Sequence, residues 1–149
     1  MIQHRILSKQ ELHQLSSQIS EIEKKTSAEI RVVVRHRKHW SERKLTPRQV
    51  AHREFVSLGM AKTEGGMGIL VFILVSERQF ELLADSGILK VLPNEYWAGI
   101  AGKLSEHFSK QNFYHGLRMS LQEIGEILEQ KLPQTGKNPD ELPNDIIEE

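Results

Sequence analysis

The sequence predicts an α/β/α sandwich: a small mixed β-sheet covered by helices on both faces. Three observations carry this prediction. Apolar residues recur at helical spacing in several stretches. AEIRVVVR and the run Ile69 to Val75 have strand character. The order helix, strand, helix, hairpin, helix, helix lets the helices fall on either side of one sheet. With 149 residues there is room for one domain with a sizeable core.

Each element has a local reason. Ser8 precedes KQELHQLSSQISEIEKK and Glu11 stands three residues on, the pattern of a capping box. Leu12, Leu15, Ile19 and Ile22 then share one face of a helix that ends near Lys25. From Ala28, Ile30, Val32 and Val34 alternate with Glu29, Arg31 and Val33, which predicts a strand with one face more buried than the other. Thr46-Pro47 reads as an N-cap followed by proline at the first helical position. The second helix therefore runs to Leu58, burying Val50, Phe55 and Leu58, and stops at Gly59. A hairpin follows, with its turn near Ser76 to Gln79. Pro93 opens a helix through NEYWAGIAGKLSEHF, and Phe113 to Leu132 forms another with Leu117, Leu121, Ile124 and Leu128 as its apolar stripe. Trp97 and Phe113 read as core residues, and Tyr96 could border the loop edge described below.

Residues 1–133 form the domain in this reading. Residues 134–149, QTGKNPDELPNDIIEE, are rich in Pro, Asn and acid and form a tail, ordered at most by docking Leu142 or Ile146. The polar ends explain an apolar fraction of 38%. Twenty basic and twenty acidic residues give a formal net charge of zero, which argues against a basic body built for nucleic acid or membrane. With no cysteine, disulfides, thiolate metal sites and a cysteine nucleophile are excluded. The N-terminal MIQHRILSKQELHQL lacks the apolar core of a signal peptide, and Ile69 to Val75 is too short to cross a bilayer. A cytoplasmic protein without a membrane anchor is expected.

The topology gathers acids at one edge. If the first two strands pair in parallel, their starts lie together, and the third, antiparallel strand returns to the same edge. Glu29, Glu64 and Asp85 then converge. Carboxylates beside the backbone carbonyls of Gly65, Gly66 and Gly68 are oxygen ligands suited to Ca2+ or Mg2+. The alternative is a sharp strand start with Glu29 in water and Asp85 capping the Ser86-Gly87 turn.

Residues 35 to 53 hold seven Lys or Arg and three His against one Glu. Arg35, Arg37, Lys38, Arg43, Lys44, Arg48 and Arg53 could bind an anionic partner, with His36, His39 and Trp40 adding stacking and a pH-dependent charge. The alternative is a solvated loop leading into a helix, neutralised by the acidic tail. Nucleic acid is not the expected partner, because the overall charge is balanced.

The stretches TSAEIRVVV, FVSLGMAKTEGGMGILVFI, ERQFELLADSGI, YWAGIAGKLSEHF and FYHGLRMSLQEIGEILEQKLP, in this order, resemble the TPM-domain family over Leu7 to Pro133. The family takes its name from a thylakoid-lumen phosphatase, a photosystem-repair protein and a modulator of an acetylcholine receptor. The resemblance implies an α/β/α sandwich and, as in several relatives, divalent-cation binding near these loops. Some plant members are described as acid phosphatases. Short bacterial members without anchor look most like this chain, including the ELPN near its end.

One departure stands out. Relatives commonly carry an acid and an asparagine just before the glycine that enters the second strand, where this chain has Gly66-Met67-Gly68. Methionine is a poor ligand for a hard cation. Either Glu64 compensates from a shifted loop position or the site is degenerate.

A phosphatase would need a nucleophile or metal-activated water and groups that neutralise transition-state charge. Arg31 or Lys62 could face a phosphate. Ser86 reads as a turn residue, and the histidines lack HxH or HExxH spacing. The expectation is a non-catalytic module that weakly binds Ca2+ or Mg2+ and mediates a protein interaction. Metal-dependent phosphomonoester hydrolysis and binding of an anionic partner are the alternatives.

Overall fold

The computed structural model describes residues 6–62, 64–110, 113–135 and 146–149; at Lys62 and Glu64 the backbone alone is described. Helix α1 spans Lys9–Glu23. Its start is fixed by reciprocal capping: the Ser8 hydroxyl accepts the Glu11 N–H at 3.1 Å, and the Glu11 carboxylate accepts the Ser8 N–H at 2.9 Å. Leu15 and Ile19 are fully buried, with Leu12 and Ile22 packed beside them.

Strand β1 spans Glu29–Arg35, and helix α2 spans Pro47–Ser57. A second reciprocal cap, between Thr46 and Gln49, starts α2, and Gly59 ends it at φ 75°. Strand β2, Gly68–Leu74, pairs in parallel with β1 from Glu29 opposite Gly68 to Arg35 opposite Leu74. A short turn with Arg78 in the left-handed region reverses the chain into β3, Gln79–Ala84, antiparallel to β2. The short helix α3, Ser86–Leu89, precedes α4, Asn94–Ser109, and α5, Phe113–Lys131.

The expected three strands become four. Ile147–Glu148 forms β4, parallel to β1, so the sheet order is β3-β2-β1-β4. Of the two tail residues proposed to dock, Ile146 packs on the core, and Leu142 lies outside the described residues.

Both sheet faces are covered. On one, Ile30, Val32, Val34, Ile69, Val71 and Ile73 pack against α1, α4 and α5, including the whole stripe Leu117, Leu121, Ile124 and Leu128. On the other, Val33, Leu70, Phe72, Leu74 and Leu83 pack against Val50, Ala51, Phe55 and Met60. Strand β1, expected to be more buried on one face, is therefore buried along its whole length. Its alternating polar residues Glu29, Arg31 and Arg35 are buried rather than in water, and Arg35 meets Glu54 of α2. Trp97 is a core residue whose indole N–H reaches the Leu92 carbonyl at 3.0 Å, Phe113 is buried, and Tyr96 is exposed. Among the described residues no helix is long and apolar enough to cross a membrane.

Candidate functional site

The parallel pairing of β1 and β2 sets their starts side by side. The Glu29 N–H donates to the Met67 carbonyl at 2.9 Å, and the Asp85 N–H donates to the Gly68 carbonyl at 3.0 Å. Gly68 thus lies between Glu29 and Asp85 in one row across three strands. Having no side chain, it lets Met60 come down over the sheet: a Cβ there would stand 3.3 Å from the Met60 carbonyl oxygen. Met67 points to the opposite face and packs on the α1, α4 and α5 core. The methionine that departs from the family pattern is therefore a half-buried side chain against the core on the other face, and its sulfur is not aimed at the row of acids.

The loop before β2 closes on the end of β3. Gly65 and Gly66 have φ of 73° and 68°, a backbone open mainly to glycine. A Cβ on Gly87 would stand 1.9 Å from the Gly65 carbonyl oxygen and 2.9 Å from that of Gly66, so only glycine permits the approach. The loop therefore lies directly against the start of α3.

Asp85 has two tasks there. Its backbone continues the sheet, and its carboxylate oxygen Oδ1 accepts the Ser86 N–H at 2.7 Å as the cap of α3. The capping half of the alternative reading is thus present, while its solvent-exposed Glu29 is not: Glu29 is 2% exposed. The Glu64 backbone belongs to the turn Glu64–Gly66, and its side chain lies outside the described residues, as does that of Lys62. Arg31 is buried on the same face of β1 as Glu29. Among the described residues no group of three or more His, Asp or Glu is spaced to hold a metal. The donors present at the edge are carboxylate and carbonyl oxygens, which suit a hard cation and not a soft one.

The basic segment divides into paired and exposed residues. Arg35 is 4% exposed and donates to both Glu42 and Glu54, with Glu149 3.7 Å away. Lys38 pairs with Glu77 at 2.9 Å and Arg48 with Glu81 at 3.0 Å. Arg43 stacks 3.8 Å from the centre of the Trp40 ring and donates to the Trp40 carbonyl. Arg37, Lys44 and Arg53 are exposed, and Trp40 is 78% exposed. Burial pushes the Glu42 carboxyl up, but the His39 backbone N–H and the charges of Arg35 and His39 outweigh it, holding the carboxyl below its ordinary range. A cleft of about 200 Å³ lies between Arg35, His39, Arg53 and Ser57, with Glu42 and Glu54 in its wall.

Sequence reasoning missed Glu54 as the second partner of Arg35, because it falls one residue beyond the basic run. The acidic tail does meet the basic segment: Glu148 lies 2.8 Å from His36 Nε2, and Glu149 faces the Arg35 guanidinium. The isoleucine pair before these acids was the available signal, since adjacent β-branched residues favour a strand.

Comparison with known proteins agrees with this architecture. No curated protein matches the sequence. The chain is similar to the BA42 protein of the psychrophilic bacterium Bizionia argentinensis, with 27% identity, a TM-score of 0.85, and coverage of 98% of this chain and 97% of that one. The N-terminal domain of a protein from P. gingivalis shares the fold at 16% identity and a TM-score of 0.73, over 85% of this chain and 79% of that one. The family profile described as the TPM domain matches residues 2–127, so the chain belongs to the TPM-domain family.

Proposed function

We propose that this TPM domain is a cytoplasmic, non-catalytic module that weakly binds Ca2+ or Mg2+ at the edge formed by Glu29, Glu64 and Asp85, and that the edge mediates a protein interaction. The observation that carries the reading is the row Glu29, Gly68, Asp85 with the Gly65-Gly66 loop folded against it. Asp85 Oδ1 is engaged by the Ser86 N–H, which leaves Oδ2 for a cation. Few carboxylates mean low affinity, in the range of about 10⁻⁴–10⁻³ M found for weak Ca2+ modules.

Thermal unfolding of metal-stripped protein with and without Ca2+ tests it. A ligand at about tenfold over its Kd adds roughly 1.4 kcal/mol to the folded state. Asp85→Ala lowers the baseline by removing the α3 cap, so the readout is the metal-dependent increment, which is expected to vanish. No increment in the parent protein at millimolar Ca2+ or Mg2+ overturns the reading. Metal-dependent turnover of a phosphomonoester that disappears in Asp85→Ala would replace it with the phosphatase alternative.

A second reading rests on a different observation: Trp40, widely exposed, carries the Arg43 guanidinium on its ring, with Arg37 and Lys44 exposed nearby in sequence. Such a surface suits an anionic partner. Salt-dependent binding of a polyanion at low ionic strength, weakened by Trp40→Ala, is the expected result; no binding removes this reading.

A further inference from the structure

The outer edge of β1 is covered in two halves by two different parts of the chain. Because the Glu29 N–H points toward β2, the N–H groups of Ile30, Val32, Val34 and His36 point the other way. The first half is sealed by α1: the Glu23 carboxylate accepts the Ile30 N–H at 2.8 Å. The second half is covered by residues 146–149. The Glu149 N–H donates to the Val34 carbonyl at 2.7 Å, and the His36 N–H donates to the Glu149 carbonyl at 2.8 Å.

The side chains of this segment are read individually. The Glu148 carboxylate is 2% exposed, accepts the backbone N–H groups of Ile6 at 3.1 Å and Leu7 at 3.4 Å, and lies 2.8 Å from His36 Nε2. Glu149 faces Arg35, Ile147 packs on the α2 side of the sheet and Ile146 on the other. Two backbone amides and an imidazole around one buried carboxylate make a polar pocket specific for an acid at that register. The slot accepts the pattern apolar, apolar, acid, acid in extended form.

The hold on this segment is short. Among the described residues Ile147 and Glu148 pair with β1 on this side, against seven residues in the β1–β2 ladder. Residues 146–149 belong to the same chain as the slot, so they act as its intramolecular ligand. We propose that the β1 edge from Val32 to His36 is a strand-docking site for an extended acidic segment of another protein, which takes the place of residues 146–149 and adds a parallel strand. Main-chain pairing supplies the contact area, and the Glu148 pocket with Arg35 supplies the selection for acids. This site lies at the opposite end of β1 from Glu29 and stands apart from the cation reading.

The probe is a fluorescent peptide with the sequence of residues 143–149, PNDIIEE, added to the full chain. The parent protein is expected to bind it weakly, because its own segment already occupies the slot. Glu148→Ala, which empties the pocket, is expected to bind at least about tenfold tighter, and a peptide with alanine at the Glu148 position is expected to lose that gain. If Glu148→Ala does not fold, amide shifts in the parent protein at high peptide concentration give the same answer: an identical segment in the slot leaves residues 6, 7 and 32–36 nearly unchanged, and the shifts are expected at the displaced residues 146–149. Equal binding by the two proteins, equal binding of the two peptides, or shifts elsewhere overturn the proposal. A concentration-dependent dimer that the peptide cannot dissociate overturns the assignment to a separate partner.

Discussion

Arg35 holds its guanidinium between Glu42 and Glu54, donating to both, in an interior where all three side chains are buried. A charge count places this arginine on a basic surface; the fold uses it as the centre of an internal ion cluster between β1, α2 and the turn Trp40–Glu42. Its value to stability depends on the partners staying together. Arg35→Met is expected to cost about 3–5 kcal/mol by leaving two buried carboxylates without their cation. Replacing Glu42 and Glu54 by Gln in the same chain is expected to recover part of that loss. Urea unfolding of the single and triple variants measures both effects.

The same cluster makes stability depend on acid. The Glu42 carboxyl lies below its ordinary value of 4.5 in the folded protein. A lowered carboxyl pKa stabilises the fold in full above the unfolded value, and the contribution disappears as pH falls through the folded value. Unfolding free energy should therefore show no change from this group between about pH 7 and 6 and should fall below about pH 4.5. Glu42→Gln is expected to be less stable near neutrality and to lose less on acidification. An unchanged acid slope in that variant would show that Glu42 is not responsible.

Gly87 tests the loop contact. Alanine there places its Cβ 1.9 Å from the Gly65 carbonyl oxygen, so the loop must move off α3. The expected cost is about 1–3 kcal/mol, with a loss of the metal-dependent increment in thermal unfolding. Gly99→Ala, in α4 with nothing within 4 Å of the added Cβ, is the control and is expected to raise stability by about 0.4–1 kcal/mol. Metal response in Gly87→Ala equal to that of the parent would separate the loop from the site.

The elements that could be read in the sequence are those whose cause is local. Ser8 with Glu11, Thr46 with Pro47, the stripe from Leu117 to Leu128 and the run from Ile69 each announce their element within a few residues. That the starts of β1 and β2 share an edge with the end of β3 could also be read, because strand direction alone fixes it, while the Glu64 side chain expected beside Glu29 and Asp85 lies outside the described residues. What could not be read depends on distant partners. The tail joins the sheet through contacts with Ile6, Leu7 and His36, more than a hundred residues away. The burial of Arg35 likewise requires knowing that α2 packs on the β2 and β3 side of the sheet and brings Glu54 to it. Composition assigns charge to a segment, but only packing decides whether that charge meets solvent.

The most direct test of the cation edge is a backbone amide NMR titration of metal-stripped full-length chain with Ca2+ and then Mg2+ at near-physiological salt. Saturable shifts confined to Glu29, residues 64–68 and residues 84–88 are the predicted result, and they should be absent in Asp85→Ala. Spectra unchanged at millimolar metal, or shifts spread over the acidic surface without saturation, would contradict the assignment of Glu29, Glu64 and Asp85 as a divalent-cation site.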